Sequence, residues 1–252
     1  MASVTVAAFY ADVPGKPSRF DEYLAYGKAA RRALELTNPG AEYVILSDLV
    51  TAGKWSAHGF KVTPCAQTGL PLMRQIIDAQ RFFVETVWGR RGLLVLPDID
   101  AMPNRPLDDA TPDDIGLAIT YKSEKHNYRI NNLAYVRDAD LAVWFLERAG
   151  EILATWPEDQ QHWWGDQDAW GAACGNQFGG GYWIPIQHID AGVFVAIPNR
   201  DKPVYLFPCE THNCPMANDG GTRQAQKDAY FVHFKGPRKE LINHWFEERF
   251  SV

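Results

Sequence analysis

A chain of 252 residues, 46% hydrophobic and 22% charged, carries enough apolar material for one sizeable α/β domain and is unlike a disordered tract. Its formal net charge of -6 argues against a broad basic surface for nucleic acid or anionic lipid, leaving only a local basic pocket open. No run approaches the roughly 18 apolar residues needed to cross a bilayer, and the N-terminus lacks the cationic region of a secretory signal, so a cytoplasmic protein is expected.

In chain order, Val4 to Tyr10 reads as a first strand. Ser18-Arg19-Phe20-Asp21 resembles a capping box, and Phe20, Tyr23, Leu24, Gly27, Ala30 and Leu34 keep helical spacing up to Asn38-Pro39-Gly40. A second strand is expected at Tyr43 to Leu46. Met73, Ile76, Ile77, Gln80, Phe83 and Val87 mark a helix stopping at Gly89, followed by the apolar strand Leu93 to Leu96. This is a β-α-β-α-β beginning. Strands are expected again at Ile115 to Thr120 and Leu133 to Val136, then a helix through Leu141, Trp144, Phe145, Ala149 and Ile152. After a stretch rich in Trp, Gly, Asp and Gln from Trp163 to Gly181, strand-like runs lie around Val193 to Ile197, Val204 to Phe207 and Ala229 to Phe234. An amphipathic helix carrying Leu241, Ile242, Trp245 and Phe246 closes the chain. No internal repeat or linker breaks the pattern, which is that of one domain spanning 1–252 with an α/β sheet covered by helices.

Asp98-Ile99-Asp100 ends the strand Leu93 to Leu96. In extended chain, side chains two positions apart leave on the same face, so two carboxylates here can aim at one divalent cation. Hard oxygen ligands suit Mg²⁺ or Mn²⁺, ions commonly shared with substrate phosphates. The competing reading is a surface turn, since Asp, Pro and Asn cluster through Asn104. A second constellation, His233-Phe234-Lys235-Gly236-Pro237-Arg238-Lys239, joins an imidazole able to complete a metal's shell, a glycine that lets backbone approach a ligand, and cations that neutralise phosphate. Taken singly these are equally a strand-end histidine, a turn and a solvated helix start. A third, Gly165-Asp166-Gln167-Asp168-Ala169-Trp170, reads as a helix start in which at most one aspartate enters a site, and capping explains either.

Four cysteines, at 65, 174, 209 and 214, fit reduced thiols. Cys209 and Cys214 bracket His212, but no second ligand pair accompanies them, and they read as structural. Trp163, Trp164, Trp170, Tyr182 and Trp183 around Gly179 to Gly181 offer flat surfaces for a sugar, with core packing the competing explanation; no role is assigned to them.

Together the segments resemble the retaining glycosyltransferases of the GT-A fold, the family 8 type that includes bacterial galactosyltransferases and glycogenin. Those enzymes carry a DxD after an apolar strand, an Asn-Ala-Gly-like strand start, an Asp-Gln-Asp helix start and a late His-x-x-Gly-x-x-Lys, matched by Asp98 to Asp100, Asn131-Asn132-Leu133, Asp166 to Asp168, and His233 to Lys239. The resemblance implies a GT-A-like, Rossmann-type mixed sheet, with a nucleotide-binding half over 1–100 and a sugar- and acceptor-binding half over 101–252. It implies that Asp98, Asp100 and His233 bind Mn²⁺, or Mg²⁺, holding the diphosphate of a nucleotide-sugar, with Lys239 and the Gly236 backbone on that diphosphate. Arg74 and Asn131 would face the donor, Asp166 would bind the sugar's hydroxyls, and Gln167 would lie beneath the anomeric carbon. After the first strand the family often has acidic residues that read uracil, whereas this chain has Phe9-Tyr10-Ala11-Asp12; there Tyr10 would stack on a base, or be a half-buried strand-end tyrosine. A UDP-sugar is the favoured donor. The acceptor is open: a glycan, a lipid-linked glycan, a protein or modified DNA.

The chain departs from that pattern at Pro97, at Asn132-Leu133 in place of Ala-Gly, and at Glu240 where proline commonly follows the lysine. Two other classes stay in play. A haloacid-dehalogenase-like phosphatase also uses DxD, though normally on the first strand, and a non-catalytic sugar-nucleotide or glycan-binding module would bind donor without turning it over.

Overall fold

The computed structural model describes residues 3–13, 15–65, 69–122, 130–161, 165–175, 187–190, 193–196, 202–217 and 224–250. Its first half alternates strand and helix: β1 (Val4–Phe9), α1 (Phe20–Thr37), β2 (Glu42–Asp48), α2 (Leu49–Ala57), β3 (Lys61–Cys65), α3 (Leu72–Thr86) and β4 (Leu93–Pro97). The opening is therefore one α–β unit longer than its periodicity indicates. α2 and β3 escape detection because the helix is short and the strand lies at the sheet edge with Pro64 in it. Asp48 starts α2, its carboxylate accepting from Val50 N at 2.8 Å and Thr51 N at 2.7 Å, which satisfies two otherwise orphaned helix amides.

The expected capping box at Ser18 does not form. Arg19 holds the N-cap position of α1 without a side-chain cap bond, while Ser18 Oγ accepts from Phe20 N at 3.2 Å and donates to Asp12 Oδ1 at 2.8 Å. Ser18 thus stands one position ahead of the N-cap and turns its hydroxyl proton to Asp12. At the other end α1 stops where expected, at Asn38, with Gly40 at φ +86° turning the chain.

β5 (Ala101–Pro103), β6 (Leu117–Tyr121), β7 (Ile130–Val136), α4 (Ala139–Ala154), α5 (Gly165–Ala173), β8 (Gln187–Asp190), β9 (Val193–Ala196), β10 (Val204–Pro208), α6 (Cys209–His212), β11 (Cys214–Pro215), α7 (Gln224–Asp228), β12 (Phe231–His233) and α8 (Ile242–Phe250) follow. A 3-10 segment, Gly236–Leu241, occupies the start expected for the last helix. Among the described residues nine strands form one mixed sheet in the order β3-β2-β1-β4-β7-β6-β10-β9-β8, and β11-β12-β5 form a small second sheet. β1 to β4 are mutually parallel, and β7 turns antiparallel between β4 and β6.

Two apolar clusters explain why the central strands are hydrophobic along their whole length rather than alternating. On one face Leu94, Leu96 and Val136 pack with Ile77 and Phe83 of α3 and Phe145 of α4. On the other, Val6, Ile45 and Val95 meet Leu34 of α1, Trp55 of α2 and Trp245 of α8. Gly92 must be glycine: it has φ +74°, and a Cβ there would stand 1.9 Å from the Ser3 carbonyl oxygen. The chain thereby enters β4 hard against β1, and β4 delivers Asp98 at the level of Phe9.

Candidate metal and donor site

The last strand-like stretch of β4 carries the chain to Asp98, and a turn closed by Ala101 N donating to the Asp98 carbonyl at 3.0 Å sends it into β5. β5 pairs antiparallel with β12 in a register that sets His233 opposite Ala101. Phe234 N donates to the Asp100 carbonyl at 3.0 Å, extending the same ladder. Backbone pairing thus brings the imidazole to the two acids. His233 Nε2 lies 3.3 Å from Asp98 Oδ2 and 3.1 Å from Asp100 Oδ1.

These three residues offer ligand atoms that all lie within 4.8 Å of one another. Adjacent ligands of an octahedral cation with bonds near 2.1 Å are separated by about 3 Å, so the spacing fits a single divalent ion held by two hard oxygens and one imidazole nitrogen. Among the described residues no other group of His, Cys, Asp or Glu meets this condition. None of the four cysteines forms a disulfide and all are buried, and His212 Nε2 is directed to the Ala110 carbonyl at 3.2 Å. The structural reading of those cysteines agrees with this arrangement.

The two acids differ in environment. Desolvation raises the Asp98 carboxyl above its ordinary value, with His233 opposing; its side chain remains 29% exposed, so it is the open member of the pair. Burial would raise Asp100 as well, but His233 and Lys239 outweigh it and hold this carboxyl below the usual carboxylate range. Lys239 Nζ is 2.9 Å from Asp100 Oδ2 and donates to the Tyr23 hydroxyl at 2.8 Å. Gly236, at φ +57° and exposed, begins the 3-10 turn that presents this lysine. A Cβ on Gly236 would meet nothing within 4 Å, so its requirement is conformational rather than steric.

On the far side, β7 contributes neighbouring asparagines that diverge because successive strand residues point to opposite faces. Asn131 Oδ1 accepts from Lys235 Nζ. Asn132 Nδ2 donates to Asp98 Oδ1 at 3.3 Å and to Asp166 Oδ2. Asp166 and Gln167, in the first turn of α5, are both buried, and burial pushes Asp166 up to about 6, Asn132 partly offsetting it. Asp168 on the same turn is only half-buried, as the helical spacing of the two aspartates requires.

Two expected donor residues are engaged elsewhere. Arg74 Nε donates to Asp78 Oδ1 and Oδ2 at 3.1 and 3.0 Å, and a terminal nitrogen donates to the Gly150 carbonyl, joining α3 to α4. Tyr10 is nearly buried, its ring centroid 4.7 Å from that of Tyr23 and its hydroxyl donating to Asp12 Oδ1 at 2.8 Å. Asn132, Lys235 and Tyr23 stand in the site beyond the residues individually expected there, Lys235 being expected only as one of the phosphate-neutralising cations of its segment. The first two stand inside the quoted motifs, and Tyr23 was visible only as part of the apolar face of α1. Trp163, Trp164, Tyr182, Trp183 and Gly179 to Gly181 lie outside the described residues, whereas Trp170 is fully buried with its ring centroid 5.7 Å from that of Phe145.

A mixed sheet with helices on both faces and an acidic pair at the end of its fourth strand defines a GT-A-like, Rossmann-type α/β fold. No family model matches the chain, and no curated protein matches it. Among solved structures it is similar to the glycosyltransferase GlyE of Streptococcus pneumoniae TIGR4, with a TM-score of 0.59 and 12% identity over 100% of this chain and 60% of that one. The apo form of GlyE gives 0.56 at 12% identity, over 98% and 63%. A glycosyltransferase involved in the glycosylation of the major capsid of PBCV-1 gives 0.50 at 15% identity, over 98% and 99%. The chain spans about 60% of the length of GlyE. The likeness is one of fold. No helix among the described residues is long and apolar enough to cross a membrane.

Proposed function

We propose that the chain is a divalent-cation-dependent glycosyltransferase of the retaining family 8 type, moving a sugar from a nucleoside diphosphate, UDP in the favoured case, to an acceptor hydroxyl. The observation that carries this reading is the convergence of Asp98, Asp100 and His233 in one cluster at the end of β4 in a glycosyltransferase fold. Residues 1–100 serve as the nucleotide half and 101–252 as the sugar and acceptor half of one domain.

Asp98, Asp100 and His233 would hold Mn²⁺ or Mg²⁺. When bound, such a cation supplies a Lewis acid that stabilises charge developing on the leaving diphosphate. The chain's own groups do the remaining work. Lys239, fixed between Asp100 and Tyr23, brings a preorganised ammonium to the same leaving group. Gly236 lets backbone approach a phosphate closely. Asp166 accepts from sugar hydroxyls, Gln167 takes the position beneath the anomeric carbon, and Asn131 supports the donor side through Lys235. Tyr10 and Arg74 join the donor contacts only by exchanging present ones, Tyr23 for a base and Gly150 for a donor oxygen. The acceptor class stays a glycan, a lipid-linked glycan, a protein or modified DNA.

The test is to incubate the protein with Mn²⁺ and a panel of nucleotide-sugars and to measure release of nucleoside diphosphate without acceptor, then to repeat with Asp100→Ala. Release by the wild type and its loss in the variant support the reading. Phosphate release from simple esters with no turnover of nucleotide-sugars would replace it with a phosphatase. Metal-dependent donor binding with neither transfer nor hydrolysis would replace it with a binding module.

A further inference from the structure

Asn132 stands where the metal end of the site meets its sugar end. It is 4% exposed, and its single side-chain nitrogen serves both Asp98 Oδ1, at 3.3 Å, and Asp166 Oδ2. An amide flanked by two carboxylates has one favourable orientation: the NH₂ faces the acids, because the carbonyl oxygen would be repelled by both. Oδ1 must then point away from them. It is buried with no hydrogen-bond partner among the described residues, and the same holds for Asp166 Oδ1 and Gln167 Oε1. Buried acceptors are ordinarily satisfied. Three of them on adjoining residues mark a place that receives a ligand bringing its own hydrogens, as neutral hydroxyl groups do.

The shared amide has a thermodynamic consequence. Alone, each aspartate would sample several rotamers, and each ligand would meet the entropic cost of fixing its own. With one NH₂ bonded to both, ordering Asp98 also orders Asp166, so a ligand at either end lowers the cost of binding at the other, and the effect is reciprocal. Resting on the functional reading above, we propose that Asn132 is a positioning residue that couples cation binding at Asp98 to hydroxyl binding at Asp166, through two hydrogen bonds from one amide.

The coupling is read with the metal alone, by titrating Mn²⁺ calorimetrically into the full chain and into Asn132→Ala, Asp166→Ala and the double variant, with melting curves as the control for folding. Partners one step removed from a metal typically alter its affinity 10- to 100-fold. Asn132→Ala is expected to weaken Mn²⁺ binding about tenfold, and Asp166→Ala to weaken it in the wild-type background but by less than about twofold on top of Asn132→Ala. If Asn132→Ala fails to fold, Asn132→Ser, smaller than asparagine but still polar, takes its place in the cycle. An unchanged Mn²⁺ affinity in the folded Asn132 variant, or equal effects of Asp166→Ala in both backgrounds, overturns the coupling. So does a wild type that binds no Mn²⁺. Because no nucleotide enters the measurement, a protein that shows the non-additive pattern yet turns over no nucleotide-sugar keeps this inference and loses the glycosyltransferase reading. Turnover with additive effects gives the converse.

Discussion

His233 is the cross-strand partner of Ala101, the residue that directly follows Asp100. The imidazole therefore reaches the acidic pair through backbone pairing, not through a side-chain contact that could form in several ways. A one-residue slip of β12 against β5 would turn His233 to the opposite face of the small sheet and dissolve the cluster. The ligand set is as stable as that pairing.

Asp100 meets both His233 Nε2 and Lys239 Nζ, so Asp100→Ala removes one of the three groups proposed to hold the cation and strips a largely buried ammonium of its carboxylate. Release of nucleoside diphosphate in Mn²⁺ is expected to fall at least about 100-fold, the range typical for losing one preorganised electrostatic contact. Chelation of the wild type should produce the same loss, and added Mn²⁺ should restore only the wild type. A variant that hydrolyses donor at the wild-type rate would disprove the assignment.

Lys239 is held above its ordinary lysine range: burial would lower it, but Asp100 and Tyr23 more than compensate. It is thus a permanent cation. Lys239→Met keeps the length and removes the charge, and kcat is expected to drop about 10- to 100-fold. Tyr23→Phe removes only one acceptor for that ammonium and should cost a few-fold. Single-turnover donor hydrolysis separates the two, and an equal effect of both substitutions would contradict the assigned roles.

Arg74 spans α3 and α4 through Asp78 and the Gly150 carbonyl. Its truncation in Arg74→Ala is expected to lower stability by about 1–3 kcal/mol, the scale of losing charge-assisted hydrogen bonds, measured by urea denaturation. The KM for donor should move by less than about threefold. A large KM change at unaltered stability would instead put Arg74 on the donor.

His212 is packed against Phe207, its ring centroid 4.5 Å away, and beside Tyr230 at 5.2 Å, and burial lowers it to about 4 despite its bonds to backbone carbonyls. The folded protein thus holds this imidazole neutral where the unfolded chain would protonate it. The stability it preserves is full above an unfolded value near 6.5 and is lost as pH falls toward 4, by at most about 3 kcal/mol. Urea midpoints between pH 7 and pH 5 should fall less steeply for His212→Gln than for the wild type. Identical slopes would exclude His212 as a contributor.

Legibility in the sequence followed the range of the forces involved. β4 showed itself because a strand buried on both faces is apolar without interruption, and Asp98 and Asp100 showed themselves because they follow it directly. α1, α3 and α4 announced themselves through an apolar stripe at helical spacing. α2 and β3 did not, being a short helix started by Asp48 and an edge strand containing Pro64. The capping box at Ser18 did not form because α1 begins at Phe20 with Arg19 at its N-cap, so Ser18 stands one position ahead of the cap and its Oγ accepts from Phe20 N only two residues on.

The order of most strands and helices, the acidic pair at the end of β4 and the late His-Gly-Lys segment are all legible along the chain, since each is written in neighbouring residues. Tertiary structure decided which residues meet. Register between β5 and β12 placed His233, the alternation of β7 sent Asn132 and not Asn131 to the acids, and helix packing drew Arg74 toward Gly150. Those choices depend on pairing and burial between distant segments, energies that no local stretch of chain contains.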